Sequence, residues 1–151
     1  MRKCFFVLVF MTLLTGCAKQ SPYDTEFVSG KVLVDGEPMQ GISIIFSPVH
    51  PNEGHAAGGI TDAKGQYKLS TAGLDIGSGA VAGTYNVTFR KIEIVGNDLS
   101  MEEAEEKYPN GLPVIYHVPK KYENPKTAGI EPVLVEKKKK NVFDFNLSTK
   151  N

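Results

Sequence analysis

The residues best suited to hold a metal ion are His50, His55 and His117, because neutral imidazole is a common ligand for zinc and related ions. Joined by Asp62 or Glu53, they would form a mixed imidazole–carboxylate set. No pair has the tight spacing of a ligand motif: His50 and His55 flank a Pro/Asn/Glu/Gly turn, and His117 stands among prolines. They read as surface loop histidines, and no metal or other cofactor is expected. A hydrolase needs a nucleophile with a base beside it. Ile76-Gly77-Ser78-Gly79-Ala80 crowds glycines around a serine but misses the Gly-x-Ser-x-Gly spacing of a nucleophile elbow. Glu102/Glu103 and Glu105/Glu106 supply paired carboxylates, which a solvated helix face explains. Gly73, Gly77, Gly79 and Gly83 are dense enough for a phosphate cradle, yet no Lys-Ser/Thr pair follows and no strand-to-helix context surrounds them. The sequence therefore predicts no catalytic residue and a protein that is not an enzyme.

Two further sets bear on binding. Tyr108, Tyr116 and Tyr122 fall in one Pro-rich stretch, where tyrosines can stack on sugars or anchor a protein partner. They can equally pin that stretch onto the body of the domain. Lys137–Lys140 could meet anionic lipid headgroups. The plainer reading is a charged β-hairpin turn that keeps a sheet edge soluble. Overall the chain has 17 basic and 17 acidic residues. Loss of Arg2 and Lys3 with a leader would leave 15 basic residues against 17 acidic ones. That balance cannot neutralise a phosphate backbone, so no nucleic-acid partner is expected.

Both cysteines, Cys4 and Cys17, lie in the first 17 residues, so the rest of the chain has no disulfide and no thiolate ligand. Arg2 and Lys3 precede the mainly apolar run Cys4–Leu14, the pattern of a secretory signal. A spanning helix needs about 20 apolar residues, so this run is too short to remain as an anchor. Leu14-Thr15-Gly16-Cys17 resembles the bacterial lipobox. The resemblance implies removal of residues 1–16, a diacylglyceryl group on the Cys17 sulfur, and acylation (palmitate) of the new N-terminus. Two or more acyl chains anchor stably where one does not. Cys17 is thus the expected lipidation site and the membrane the first expected partner. Ala18 and Lys19 follow it, with no aspartate resembling an inner-membrane retention signal. The expected location is extracytoplasmic, on the outer membrane or the periplasmic face.

Residues 17–26 are polar after the cysteine and read as a tether. From residue 27 the pattern changes to short strands. Val28, Gly30, Val32 and Val34 alternate with Ser29, Lys31, Leu33 and Asp35, and Asp35-Gly36-Glu37-Pro38 supplies turn chemistry. Ile42, Ile44 and Phe46 share a face, and residues 55–60 suit a strand. Thr61–Tyr67 reads as a hairpin, with Asp62 at the entry and Gly65 where positive φ is needed. Residues 72–83 read as a loop. Tyr85, Val87 and Phe89 point inward from the next strand. Ser100-Met101-Glu102-Glu103 resembles a capping box and predicts a short helix ending near Lys107–Tyr108. The rest of residues 92–125, bracketed by Pro113, Pro119 and Pro125, reads as an extended excursion. Residues 130–136 and 142–147 give the last two strands. These runs predict an all-β fold: an antiparallel, seven-stranded sandwich of the immunoglobulin-like or prealbumin-like kind with a short helical insertion. A small barrel is the alternative.

Val28-Ser-Gly30-Lys-Val32, Asp35-Gly36-Glu-Pro38, Gly59-Ile-Thr61-Asp62-Ala63-Lys-Gly65-Gln-Tyr67 and Gly83-Thr-Tyr85-Asn-Val87, in this order, resemble the carboxypeptidase regulatory-like (transthyretin-like) β-sandwich. Val118-Pro119-Lys-Lys-Tyr122 and Val142-Phe-Asp-Phe145-Asn-Leu147 resemble short lipoproteins of planctomycete-like bacteria. The resemblance spans residues 27–148. It implies a fold and accessory, adhesive or ligand-binding roles, with no catalytic residues. The expected function is a non-enzymatic, lipid-anchored interaction or structural module of the cell envelope, touching an envelope protein. The alternative is a carbohydrate- or small-ligand-binding accessory domain.

Overall fold

Successive side chains of a strand point to opposite faces, so an apolar residue at every second position seals one face and leaves the other wet. Tyr85, Val87 and Phe89 meet that condition and are inaccessible to solvent, while Thr84 and Arg90 are exposed. Ile42, Ile44 and Phe46 repeat the pattern, as do Val28, Val32 and Val34. The computed structural model describes residues 22–51 and 54–150. In chain order its first strands are β1 (Thr25–Glu26), β2 (Val28–Val34), β3 (Glu37–Pro38), β4 (Ser43–Pro48), β5 (Ala57–Ile60), β6 (Gln66–Lys68) and β7 (Ser70–Thr71). They are followed by β8 (Ala80–Val81), β9 (Gly83–Arg90) and β10 (Ile92–Ile94), then helix α1 (Met101–Lys107) and β11 (Val114–Tyr116). A 3-10 turn (Lys120–Glu123), helix α2 (Pro125–Ala128), β12 (Val133–Val135), β13 (Asn141–Val142) and β14 (Phe145–Leu147) complete the order.

The first sheet runs β12-β9-β4-β5-β7, with every neighbour antiparallel. The second is built on β2. Along it β13 and β14 follow one another in a single parallel register, while β6 and β3 pair antiparallel with its other edge. Val28, Val32, Val34, Tyr67 and Leu147 of this sheet, with Leu69 just after β6, face the buried row of the first, and the fold is an all-β sandwich. Each fully buried Val, Leu, Ile or Phe side chain contributes roughly 1.5–3 kcal/mol. Aromatic rings close the core edge-on: the Phe89 and Phe145 ring centroids lie 5.0 Å apart.

Five sequence expectations change. Strand segments number fourteen among the described residues rather than seven, because short pairs such as β1–β8 and β10–β11 add to the predicted runs. The Asp62–Gly65 turn forms, with Gly65 at φ +73° and the Asp62 carboxylate accepting from the Lys64 and Gln66 N–H groups. It does not close a simple hairpin: β6 pairs with β2 in the opposite sheet, and the chain rejoins β5 only at β7. The Lys137–Lys140 turn likewise carries the chain between sheets, from β12 to β13. Lys120–Glu123, expected to be extended, is a 3-10 turn. The C-terminal strands add one parallel edge to an otherwise antiparallel plan.

Gly30 makes the parallel edge possible. A Cβ there would lie 1.8 Å from the Phe143 carbonyl oxygen, so only glycine lets the two backbones approach. That carbonyl accepts the buried Tyr67 hydroxyl at 2.8 Å. Burial, with the Asp144 charge second, pushes the Tyr67 hydroxyl well above the ordinary phenol range. It stays a donor at all physiological pH values.

Candidate interaction surface

Beyond Arg90 the chain leaves the first sheet as an arm. β10 and β11 form a two-stranded ribbon in the register Ile92↔Tyr116, Glu93↔Ile115 and Ile94↔Val114. Residues paired across an antiparallel ribbon share a face. Ile92, Ile94, Val114 and Tyr116 therefore make one apolar face, and none of them is buried. The opposite face carries Glu93, Ile115 and His117, with His117 Nε2 2.9 Å from Glu93 Oε2. An isolated two-stranded ribbon is marginal in water. This one is held at its root, where the Lys91 carbonyl accepts from the His117 N–H at 3.0 Å and Val118 is buried.

The tip of the arm is α1. Ser100 Oγ accepts from the Glu103 N–H, and the Glu103 carboxylate accepts from the Ser100 N–H and hydroxyl, the reciprocal box expected of these residues. Those Ser100 bonds hold the Glu103 carboxyl below its ordinary range. No residue of α1 is buried. Local capping, not core packing, holds it in place.

The three candidate tyrosines take different places. Tyr122 is only 6% exposed. Its ring meets Phe89 edge-on, and its hydroxyl accepts from the Ser148 N–H at 2.9 Å, so it pins the end of the excursion to the sandwich. Tyr116 keeps 42% of its surface exposed, with the Lys120 ammonium 5.9 Å from its ring centroid. Tyr108 is half-buried against Gly96 at the neck of α1. Cys17 and the whole leader lie outside the described residues.

Groups weighed for metal chemistry or catalysis are dispersed or occupied. His50 and His55 are exposed, and His55 lies against the Tyr23 ring at 3.8 Å between centroids. Glu53 lies outside the described residues. Among the described residues no three His, Cys, Asp or Glu side chains gather as a metal site would need. Ser78 Oγ accepts from the Thr71 N–H, which fits a loop-bracing role. In the lysine turn, Lys137 pairs with Asp24 at 3.0 Å and Lys139 with Glu136. The Asp24 hydrogen bond raises the Lys137 ammonium above its usual range.

Sequence reasoning missed one surface. Phe27, Ile45, Ile60, Ile76 and Val142 line a single groove on the outside of the sandwich. Each looks ordinary alone, and only the fold brings them together. No helix among the described residues is long and apolar enough to cross a membrane. A scan of protein-family models, a search of curated proteins and a search of solved structures each found no match to this chain.

Proposed function

We propose that this chain is a lipid-anchored, non-enzymatic module of the bacterial cell envelope, a carboxypeptidase regulatory-like sandwich that works by offering its arm to a protein partner. The observation that carries the reading is the apolar face Ile92/Ile94/Val114/Tyr116, left open on a projecting ribbon while the sandwich seals its own core. Apolar faces rimmed by polar groups mark docking sites, and tyrosine is favoured at their centres. The anchor reading is supported by Leu14-Thr15-Gly16-Cys17 placed after a charged and then apolar leader. Cys17 would hold the lipid, and the residues between it and β1 would give the domain reach from an outer-membrane or periplasmic surface. A photo-crosslinking residue at Tyr116, in cells, should capture a discrete envelope protein, whereas the same residue at Thr88 on the sandwich should not. Capture at neither position would overturn the partner reading.

A second reading is a carbohydrate- or small-ligand-binding accessory domain. It is favoured by the exposed Tyr116 ring with Lys120 beside it, since sugars stack on such rings. Saturable binding to a glycan panel, lost in Tyr116→Ala, would select it. Tyr122→Ala is a poor probe, because that ring is a structural pin.

A further inference from the structure

A groove of about 1140 Å³ crosses the outside of the sandwich where β5 passes close to β6. The five apolar side chains on its walls, Phe27, Ile45, Ile60, Ile76 and Val142, are each more than two-fifths exposed, and Ile76 is fully so. Exposed apolar residues scattered singly need no explanation, but a contiguous set does. We infer that this face lies on the bilayer that holds the N-terminus, with Phe27, Ile60 and Ile76 seated at the boundary between headgroups and acyl chains. The inference deepens the lipid-anchored reading above and rests on it.

The length of the tether and the point where it ends argue for a bilayer as the occupant. Ten peptide steps separate Cys17 from Phe27, a reach of at most about 36 Å. Phe27 is itself on the groove wall, so an anchored domain always keeps this face within that reach of the membrane. A short tether raises effective concentration to the order of millimolar, so a patch of modest intrinsic affinity is enough. The groove is open and Ile76 projects from it, which suits an interface better than an enclosed small molecule.

Charge points the same way. Lys137 pairs with Asp24 near the tether, and the same turn runs straight into Val142 on the groove wall. Lys138 and Lys140 make no ion pair among the described residues, which leaves them to face anionic headgroups. Lys31 and Lys68 flank the groove, and the Lys68 ammonium lies 6.0 Å from the Phe27 ring centroid, poised to reach past it. The two acids on the walls are engaged: Asp62 by its own turn, Asp144 by the Lys31 N–H.

The chain has no tryptophan, so Ile76→Trp adds a sole indole, whose emission is excited apart from that of the tyrosines. The full-length protein, expressed, processed and returned to phosphatidylcholine vesicles with a minor share of phosphatidylglycerol, is read by flotation and by brominated-lipid quenching. The expected result is flotation, a blue-shifted I76W emission, and quenching several-fold stronger than for Met101→Trp, which lines no part of the groove. Adding Ile60→Glu to I76W should weaken the quenching without loss of fold, because Ile60 is exposed. Flotation with I76W quenched no more than M101W overturns the inference and leaves the anchor standing. Failure to float, with an unmodified Cys17 by mass, overturns the anchor and the inference together.

Discussion

In the sandwich, Ile44 and Phe46 of β4, with Ile42 just before it, turn inward to one core with Val28, Val32 and Leu147, and nothing of the three reaches solvent. In the arm, Ile92, Ile94, Val114 and Tyr116 share one face just as regularly, yet no second layer covers them. The same period-two code therefore has two outcomes, depending on whether the chain supplies a facing sheet. Where it does, apolar residues make stability. Where it does not, they make a surface that another molecule can complete, and local devices such as the α1 capping box must keep order meanwhile.

The comparison breaks most sharply under truncation of the two faces. Phe89→Ala removes a ring that touches both Tyr122 and Phe145, and should cost about 3–5 kcal/mol in chemical denaturation. Tyr116→Ala should change the same midpoint by less than about 0.5 kcal/mol. A large loss at Tyr116 would mean that the arm is part of the core. Next in size is Gly30→Ala. Its Cβ would collide with the Phe143 carbonyl, so a loss of about 1–3 kcal/mol is expected, with early exchange of the β13–β14 amides.

Smaller and confined to the arm, Ser100→Ala should weaken α1 by about 1 kcal/mol and speed exchange of its amides about fivefold. The global denaturation midpoint should not move, and a shift there would contradict the independence of the two regions. The smallest effects are electrostatic. Asp35 sits in the turn after β2 at φ +51°. The Thr149 hydroxyl and N–H, with smaller help from Ser148 and the Lys150 charge, hold its carboxyl below the usual range against the opposing effect of burial. Glu103 is lowered likewise by Ser100. A carboxyl lowered on folding contributes stability above its unfolded value and loses it as pH falls through the folded one. Below about pH 4, both the C-terminal tail and α1 should therefore loosen, as read by amide exchange. Glu103→Gln, which keeps the box geometry, should flatten the response of α1 and leave that of the tail.

Much of this was legible in the chain. Thr84–Arg90 declares its inward and outward faces residue by residue, and Ser100 with Glu103 marks the start of α1 to the position. Partner choice was not legible. Period two says which side of a strand is greasy but not which sheet it joins, so the passage of β6 to β2 could not be seen in Asp62–Gly65. Nor could the parallel pairing of residues 141–147 with β2, which spans nearly the whole domain. Tyr122 looked like its exposed neighbours because Pro119, Lys120 and Lys121 surround it, and only its distance to Phe89 reveals the pin. The groove residues were invisible for a related reason: Phe27, Ile45, Ile60, Ile76 and Val142 are never adjacent in sequence.

The claim that the arm is an unfinished interface is tested most directly by hydrogen–deuterium exchange, run on the protein in its own membranes and again in pure lipid vesicles. Slower exchange of the β10 and β11 amides in the native membranes, with β4 and β9 unchanged between the two settings, is the predicted result. Ribbon amides that exchange equally fast in both would contradict it.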